Sequence, residues 1–188
     1  MAKAALQRET PGECWLVKLP AASDETLATL LTSTEGARAW RAVDSTLVYA
    51  YVDTVPVAQR WAAAPSSPSS TRATVVHLQC AHDIAGASAG QSAPFHYIVE
   101  TDVRPEMDDE LNAWYQREHL PGLAAVPGTV RARRYIDPRG TPRYYACYDF
   151  TVPETLGSPA WLAVRGTPWS DRVRSAFRNT RRTMFRSL

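Results

Sequence analysis

The chain has 188 residues, 45% of them hydrophobic and 21% charged, with a formal net charge of +2. This is the composition of a globular protein that can bury a sizeable core, and it excludes a disordered or fibrous chain and a surface of one dominant sign. Cys14, Cys80 and Cys147 are widely spaced and make no CxxC pair, and no histidines stand near them at zinc-ligand spacing. They read as reduced, mostly buried thiols, and no metal is expected.

No window approaches the roughly eighteen apolar residues of a membrane span, and Met1 to Pro11 lacks the apolar stretch of a leader. A cytoplasmic location with no membrane partner is the expectation. Cys14 to Leu19 reads as a first strand bounded by Pro20. Ser23 then caps a helix with Asp24 and Glu25 in its first turn and Leu27, Leu30 and Leu31 on its buried face, ended by Gly36. Ala37 to Val43 and Thr46 to Asp53 form a hairpin across Asp44-Ser45. Thr54 to Ala64 is a second helix with Pro56 in its first turn, closed by the loop Pro65 to Ser70, and Arg72 to Gln79 is a fourth strand.

This order, β-α-β-β-α-β, is the ferredoxin-like unit. After the small, uncharged stretch Ala85 to Pro94, which has the composition of a flexible linker, the order repeats. Phe95 to Val103 is a strand, Glu106 to His119 a helix stopped by Pro121, and Thr129 to Ile136 with Arg143 to Thr151 a hairpin. Pro153 to Val164 and Trp169 to Arg178 are helical pieces broken at Gly166 and Pro168, and Thr180 to Phe185 is the closing strand. The expected fold class is therefore α+β, with a unit at residues 1–84, a linker at 85–94 and a second unit at 95–188. Facing sheets of two such units would close an α+β barrel within one chain.

The richest segment is Leu111 to Pro121. Trp114, Tyr115 and Glu118 fall at helical steps, and Tyr115 and His119 lie one turn apart on a shared face. In one reading this face lines a pocket between helix and sheet: His119 exchanges a proton, Tyr115 donates a hydrogen bond and Trp114 is an apolar wall. In the other, Trp114 and Tyr115 are core and His119 meets the last carbonyls of its helix. Glu118 is either a second acid or base or a solvated carboxylate.

Along Phe95 to Val103, the residues His96, Ile98, Glu100 and Asp102 share a face. Arg131 and Arg133, or Arg143 and Asp149, could neutralise it as cross-strand ion pairs, or His96 and Arg133 could bind an anionic substrate. The arginines Arg172, Arg174, Arg178, Arg181, Arg182 and Arg186 raise the question of RNA. The aromatic Lys/Arg-Gly-Phe/Tyr-Gly/Ala-Phe pattern of RNA-recognition strands is absent, so no nucleic-acid partner is expected. Phosphate loop, GxSxG elbow, HExxH and dinucleotide fingerprint are absent as well.

Asn112-Ala113-Trp114-Tyr115, Glu118-His119-Leu120-Pro121, Val126-Pro127-Gly128 and Arg133-Arg134-Tyr135 together resemble the EthD-like branch of the dimeric α+β barrel superfamily. The resemblance covers about the second half of the chain. The first unit has neither the Trp-Tyr nor the Glu-His pair, so one site per chain is implied. Members of that superfamily include cofactor-free monooxygenases, cyclases, isomerases, dehydratases and haem enzymes, and none of the four histidines here matches an axial ligand. The resemblance implies a small enzyme without a cofactor, acting on an aromatic or apolar metabolite, with His119 and Tyr115 catalytic and Trp114, His96 and Arg133 binding substrate. The alternative is a non-catalytic small-molecule-binding or assembly module. A homodimer is compatible with either.

Overall fold

Strand, helix, strand, strand, helix, strand occurs twice along the chain. A computed structural model describes residues 12–64 and 72–188; the loop expected at 65–70 and the segment before Gly12 lie outside them. The first series is β1 (Glu13–Leu19), α1 (Asp24–Thr32), β2 (Arg38–Ala42), β3 (Val48–Val52), α2 (Val55–Ala62) and β4 (Thr74–Ala85). The second is β5 (Phe95–Val103), α3 (Asp108–Trp114), a π-helical turn at Tyr115–His119, α4 (Leu120–Ala124), β6 (Thr129–Ile136), β7 (Tyr144–Phe150), α5 (Pro159–Arg165), α6 (Pro168–Arg174) and β8 (Phe177–Ser187).

The eight strands form a closed antiparallel barrel in the order β1-β3-β2-β8-β5-β7-β6-β4. Each unit contributes a four-stranded sheet, and the units join edge to edge where β2 pairs with β8 and β4 with β6. Among the described residues, closure leaves no edge strand open to another chain. Strand alternation then makes three cores. Leu16, Tyr49, Tyr51, Leu78, Ile98, Tyr145 and Phe185 fill the barrel interior. Leu27, Leu30, Ala58 and Trp61 pack α1 and α2 outside the first sheet. Leu111, Trp114, Leu123, Tyr148, Phe150 and Trp161 pack the longer helical layer outside the second. Each large apolar side chain fully buried here contributes about 1.5–3 kcal/mol.

Ser23 caps α1 as expected, its Oγ accepting from the Thr26 N–H at 3.1 Å. Several boundaries differ from those expected, and three of them shape the seams and the site. β4 runs past Gln79 to Ala85, because a bulge between Cys80 and His82 ends the alternation without ending the strand, which passes from β1 to β6. β8 begins at Phe177 rather than Thr180, across the bulge facing Glu100 and Asp102 and the positive φ of Asn179. The helix expected to stop at Pro121 continues to Ala124. There the Leu120 N–H reaches back five residues to the Tyr115 carbonyl, and the added residue puts Pro121 in the first turn of a new helical segment, where its missing N–H is tolerated.

The stretch 86–94 is tied to the second unit: the Gly86 N–H donates to Val130 O, Ala87 N–H to Ala124 O and Ser88 N–H to Thr129 O. A Cβ at Gly86 would lie 2.1 Å from Thr129 O, so glycine is what permits this approach. Among the described residues no helix is long and apolar enough to cross a membrane.

Candidate active site

The helical layer over the second sheet encloses a half-open cleft. The π-helical turn brings Tyr115 and His119 to its rim, with the two rings 5.4 Å apart and edge to face. A π turn inside an α-helix frequently marks a functional position, because it spends hydrogen-bond quality to re-aim side chains. Trp114 is 1% exposed and lies 3.9 Å from the His119 ring, stacked on it. Tyr97 and Tyr148 on the sheet, with Trp161 from α5 standing 5.1 Å from Tyr148, complete the aromatic lining.

His119 is buried, and its Nδ1 has no hydrogen-bond partner. Burial first, then the charges of Arg165 and Arg174, lower its pKa to about 3, so the ring is neutral at physiological pH. Tyr115 is pushed up to about 12 by burial and remains a hydrogen-bond donor. The Arg134 guanidinium stacks 4.6 Å from the Tyr115 ring, with Nε and Nη2 buried and unpartnered. Tyr148 Oη and Trp161 Nε1 are likewise buried without partners. Buried polar groups are usually paired, so this concentration on one face of one sheet is a chemical signal. Glu118 is half-buried and accepts from the Thr167 hydroxyl at 2.6 Å, which makes it a helix-to-helix tie.

His96 and Arg133 lie elsewhere, on the inward face of the same sheet. His96 Nδ1 donates to Asp149 Oδ1 at 2.7 Å, Tyr51 Oη donates to His96 Nε2 at 3.0 Å, and Arg133 pairs with the other Asp149 oxygen. The hydrogen bond from His96 and the nearby Arg133 charge outweigh burial at Asp149 and hold its carboxyl down at about 2, whereas burial lowers the His96 pKa. The cross-strand ion pair expected for this face is therefore Arg133 with Asp149. Glu100 is instead matched from the other unit, by Lys18 and by the Tyr49 hydroxyl at 2.9 Å, and Arg131 pairs with Asp83. Five predicted site residues thus fall into two groups on opposite faces of a sheet: Trp114, Tyr115 and His119 together in the cleft, His96 and Arg133 in the barrel.

Arg165, Arg174 and Arg182, which the sequence reading did not single out for this site, also line the cleft. Two of them belong to the basic carboxy-terminal run. The water-accessible volume of the cleft is about 30 Å³, enough for one or two waters. Among the described residues no group of three or more His, Cys, Asp and Glu side chains could hold a metal ion.

No family model matches the chain, and no curated protein does. Solved structures do. A proposed monooxygenase from Fusobacterium nucleatum superposes with a TM-score of 0.65 at 11% identity, over 96% of this chain and 94% of that one. An anthrone oxidase-like protein gives 0.55 at 17% identity, over 96% and 92%. A haem-degrading enzyme from Listeria monocytogenes gives 0.61 at 8% identity, over 93% and 98%. These likenesses show the two-unit ferredoxin-like barrel, and they do not show an EthD family. The cleft beside His119 does not fit a haem: it is far smaller than a macrocycle, and Trp114 covers the imidazole face.

Proposed function

We propose that the chain is a small cofactor-independent enzyme that moves a proton on an aromatic or other largely apolar metabolite at the cleft of its second unit, residues 95–188. The observation that carries this reading is the π-helical turn, which sets a neutral imidazole with an unpartnered Nδ1 beside a protonated phenol and a stacked indole. His119 accepts a proton from a C–H or O–H of the substrate. The electron pair left behind moves onto a substrate oxygen, which accepts a hydrogen bond from Tyr115. An imidazole held near 3 is a weak base in the free protein, but the negative charge appearing beside it raises its pKa as the proton arrives. Removal of that proton is the step shared by reactions of monooxygenase, cyclase, isomerase and dehydratase type. The solved relatives described as monooxygenase and anthrone oxidase-like support chemistry of this kind on this fold.

The size of the cleft favours a second reading, a non-catalytic binding module in which Trp114 and Tyr115 are core. A metabolite is admitted only if side chains of the α5 and α6 cover move outward. Turnover of phenolic and enolisable aromatic compounds by the native protein and by His119→Ala separates the two. The enzyme reading expects a rate lower by about 10²-fold or more in the variant with its circular dichroism unchanged. Equal rates for a true substrate reject His119, and binding without conversion across the panel selects the module.

A further inference from the structure

We propose that the cleft selects a flat aromatic monocarboxylate, whose charged oxygens lie among Arg165, Arg174 and Arg182 while its ring lies against the aromatic lining. The proposal rests on the reading of this cleft as a ligand site and adds the chemical class of the ligand.

Three arginines line the cleft from separate elements, Arg165 at the end of α5, Arg174 at the end of α6 and the exposed Arg182 on β8. No lining residue of the cleft is a carboxylate. Among the described residues, Arg165 and Arg182 have no acidic group within ion-pair distance, and Arg174 has only Asp171, at 3.8 Å and largely exposed. Elsewhere on this unit the arginines Arg131, Arg133 and Arg172 each hold a carboxylate. Arg174 Nη1 donates to the backbone carbonyl of Arg165 at 3.2 Å, which anchors the Arg174 side chain at the end of α5, and Arg174 Nε is buried without a partner.

Independent of the arginines, the buried Nδ1 of His119 and the buried hydroxyl of Tyr148 border the same cleft and have no partner. Burial first, then repulsion from Arg165 and Arg182, disfavours the charged form of Arg174. An anion between them relieves that repulsion and accepts charge-assisted hydrogen bonds in a fork geometry suited to a carboxylate. With the α5 and α6 cover moved outward, the rings of Trp114, Tyr148 and Trp161 present flat aromatic faces that suit a thin, planar skeleton.

The test titrates the full chain with benzoate and with its neutral analogue benzamide, followed by tryptophan fluorescence and by the His119 ring signals in NMR. Benzoate is expected to bind about 10-fold or more tightly than benzamide, and Arg174→Gln or Arg182→Gln to remove most of that preference. Arg172→Gln, whose guanidinium pairs with Glu110 outside the cleft, should keep it. Equal affinities for the two probes, or a preference untouched by either cleft variant, overturn the anion assignment while leaving a ligand site in place. If neither probe moves the His119 or tryptophan signals, the ligand site falls and the anion assignment with it. If the benzoate preference holds but His119→Ala keeps full turnover, the anion site stands and the acid–base role is rejected.

Discussion

The burial of His119 makes a quantitative claim about acid stability. The ring is 6% exposed, and desolvation, followed by Arg165 and Arg174, sets its folded pKa at about 3. In the unfolded chain a histidine titrates near 6.5. The folded value is the lower one, so below about 6.5 the unfolded chain binds the extra proton and stability falls as the pH drops towards 3. At about pH 4.5 the unfolded ring is two units below its pKa while the folded ring is still neutral, and at roughly 1.4 kcal/mol per unit the loss is about 2.7 kcal/mol. His82, His96 and Asp149 have shifted pKa values as well, so the measurement is a difference between two proteins. Urea midpoints for the native chain and for His119→Leu, taken near pH 7.5 and pH 4.5, should show the native chain losing about 2–3 kcal/mol more than the variant over that interval. Parallel losses would refute the neutral, desolvated imidazole and remove the electrostatic basis for the site.

Two further outcomes concern the frame that holds the cleft. Asp149→Ala leaves the Arg133 charge buried and takes the Nδ1 partner from His96, so it should cost about 3–5 kcal/mol in urea unfolding, whereas Arg133→Met with Asp149→Leu should recover most of it. A single-variant loss below about 1 kcal/mol would show that the pair is not desolvated. Gly128 holds φ at 93°, and an added methyl would come 2.1 Å from the Thr155 hydroxyl, so Gly128→Ala should lower thermal stability by more than about 1 kcal/mol. An unchanged Tm would show that the turn leading into β6 is not constrained as described.

What the sequence made legible follows its local periods. In β5 the alternation placed His96, Ile98 and Glu100 on one face and Tyr97 and Val99 on the other, and the barrel sets them inward and outward accordingly. The seams between the units were harder to read. β4 and β8 each carry a bulge, and one extra residue is enough to break a period of two while hydrogen bonding continues. The π turn escaped for a related reason: its residues keep helical spacing in sequence, and only the five-residue hydrogen bond from Leu120 to Tyr115 reveals the change. Arg174 and Arg182 stand in the basic carboxy-terminal run, but nothing in that run brings them to Arg165, which they join only when α5, α6 and β8 are packed on the same sheet.

That packing also decides between the two groups of candidate residues. His96 and His119 are both buried histidines with lowered pKa, and residue type alone would rank them equally. Their hydrogen bonds separate them. Both nitrogens of His96 are bonded, by Tyr51 and Asp149, and Arg133 pairs with Asp149 behind them although its Nε has no partner, so a ligand there would have to displace bonds already made. His119 Nδ1, Tyr148 Oη and Arg174 Nε have no partner and border a space already open on one side. Once the α5 and α6 cover has moved outward, a substrate at the cleft meets polar groups that have no partner, whereas in the barrel it would first have to break hydrogen bonds already made. Within the largely apolar barrel interior, the bonds from Lys18 and Tyr49 to Glu100 and from Tyr51 to His96 tie the two units, and the proposed chemistry belongs to the outer face of the second sheet.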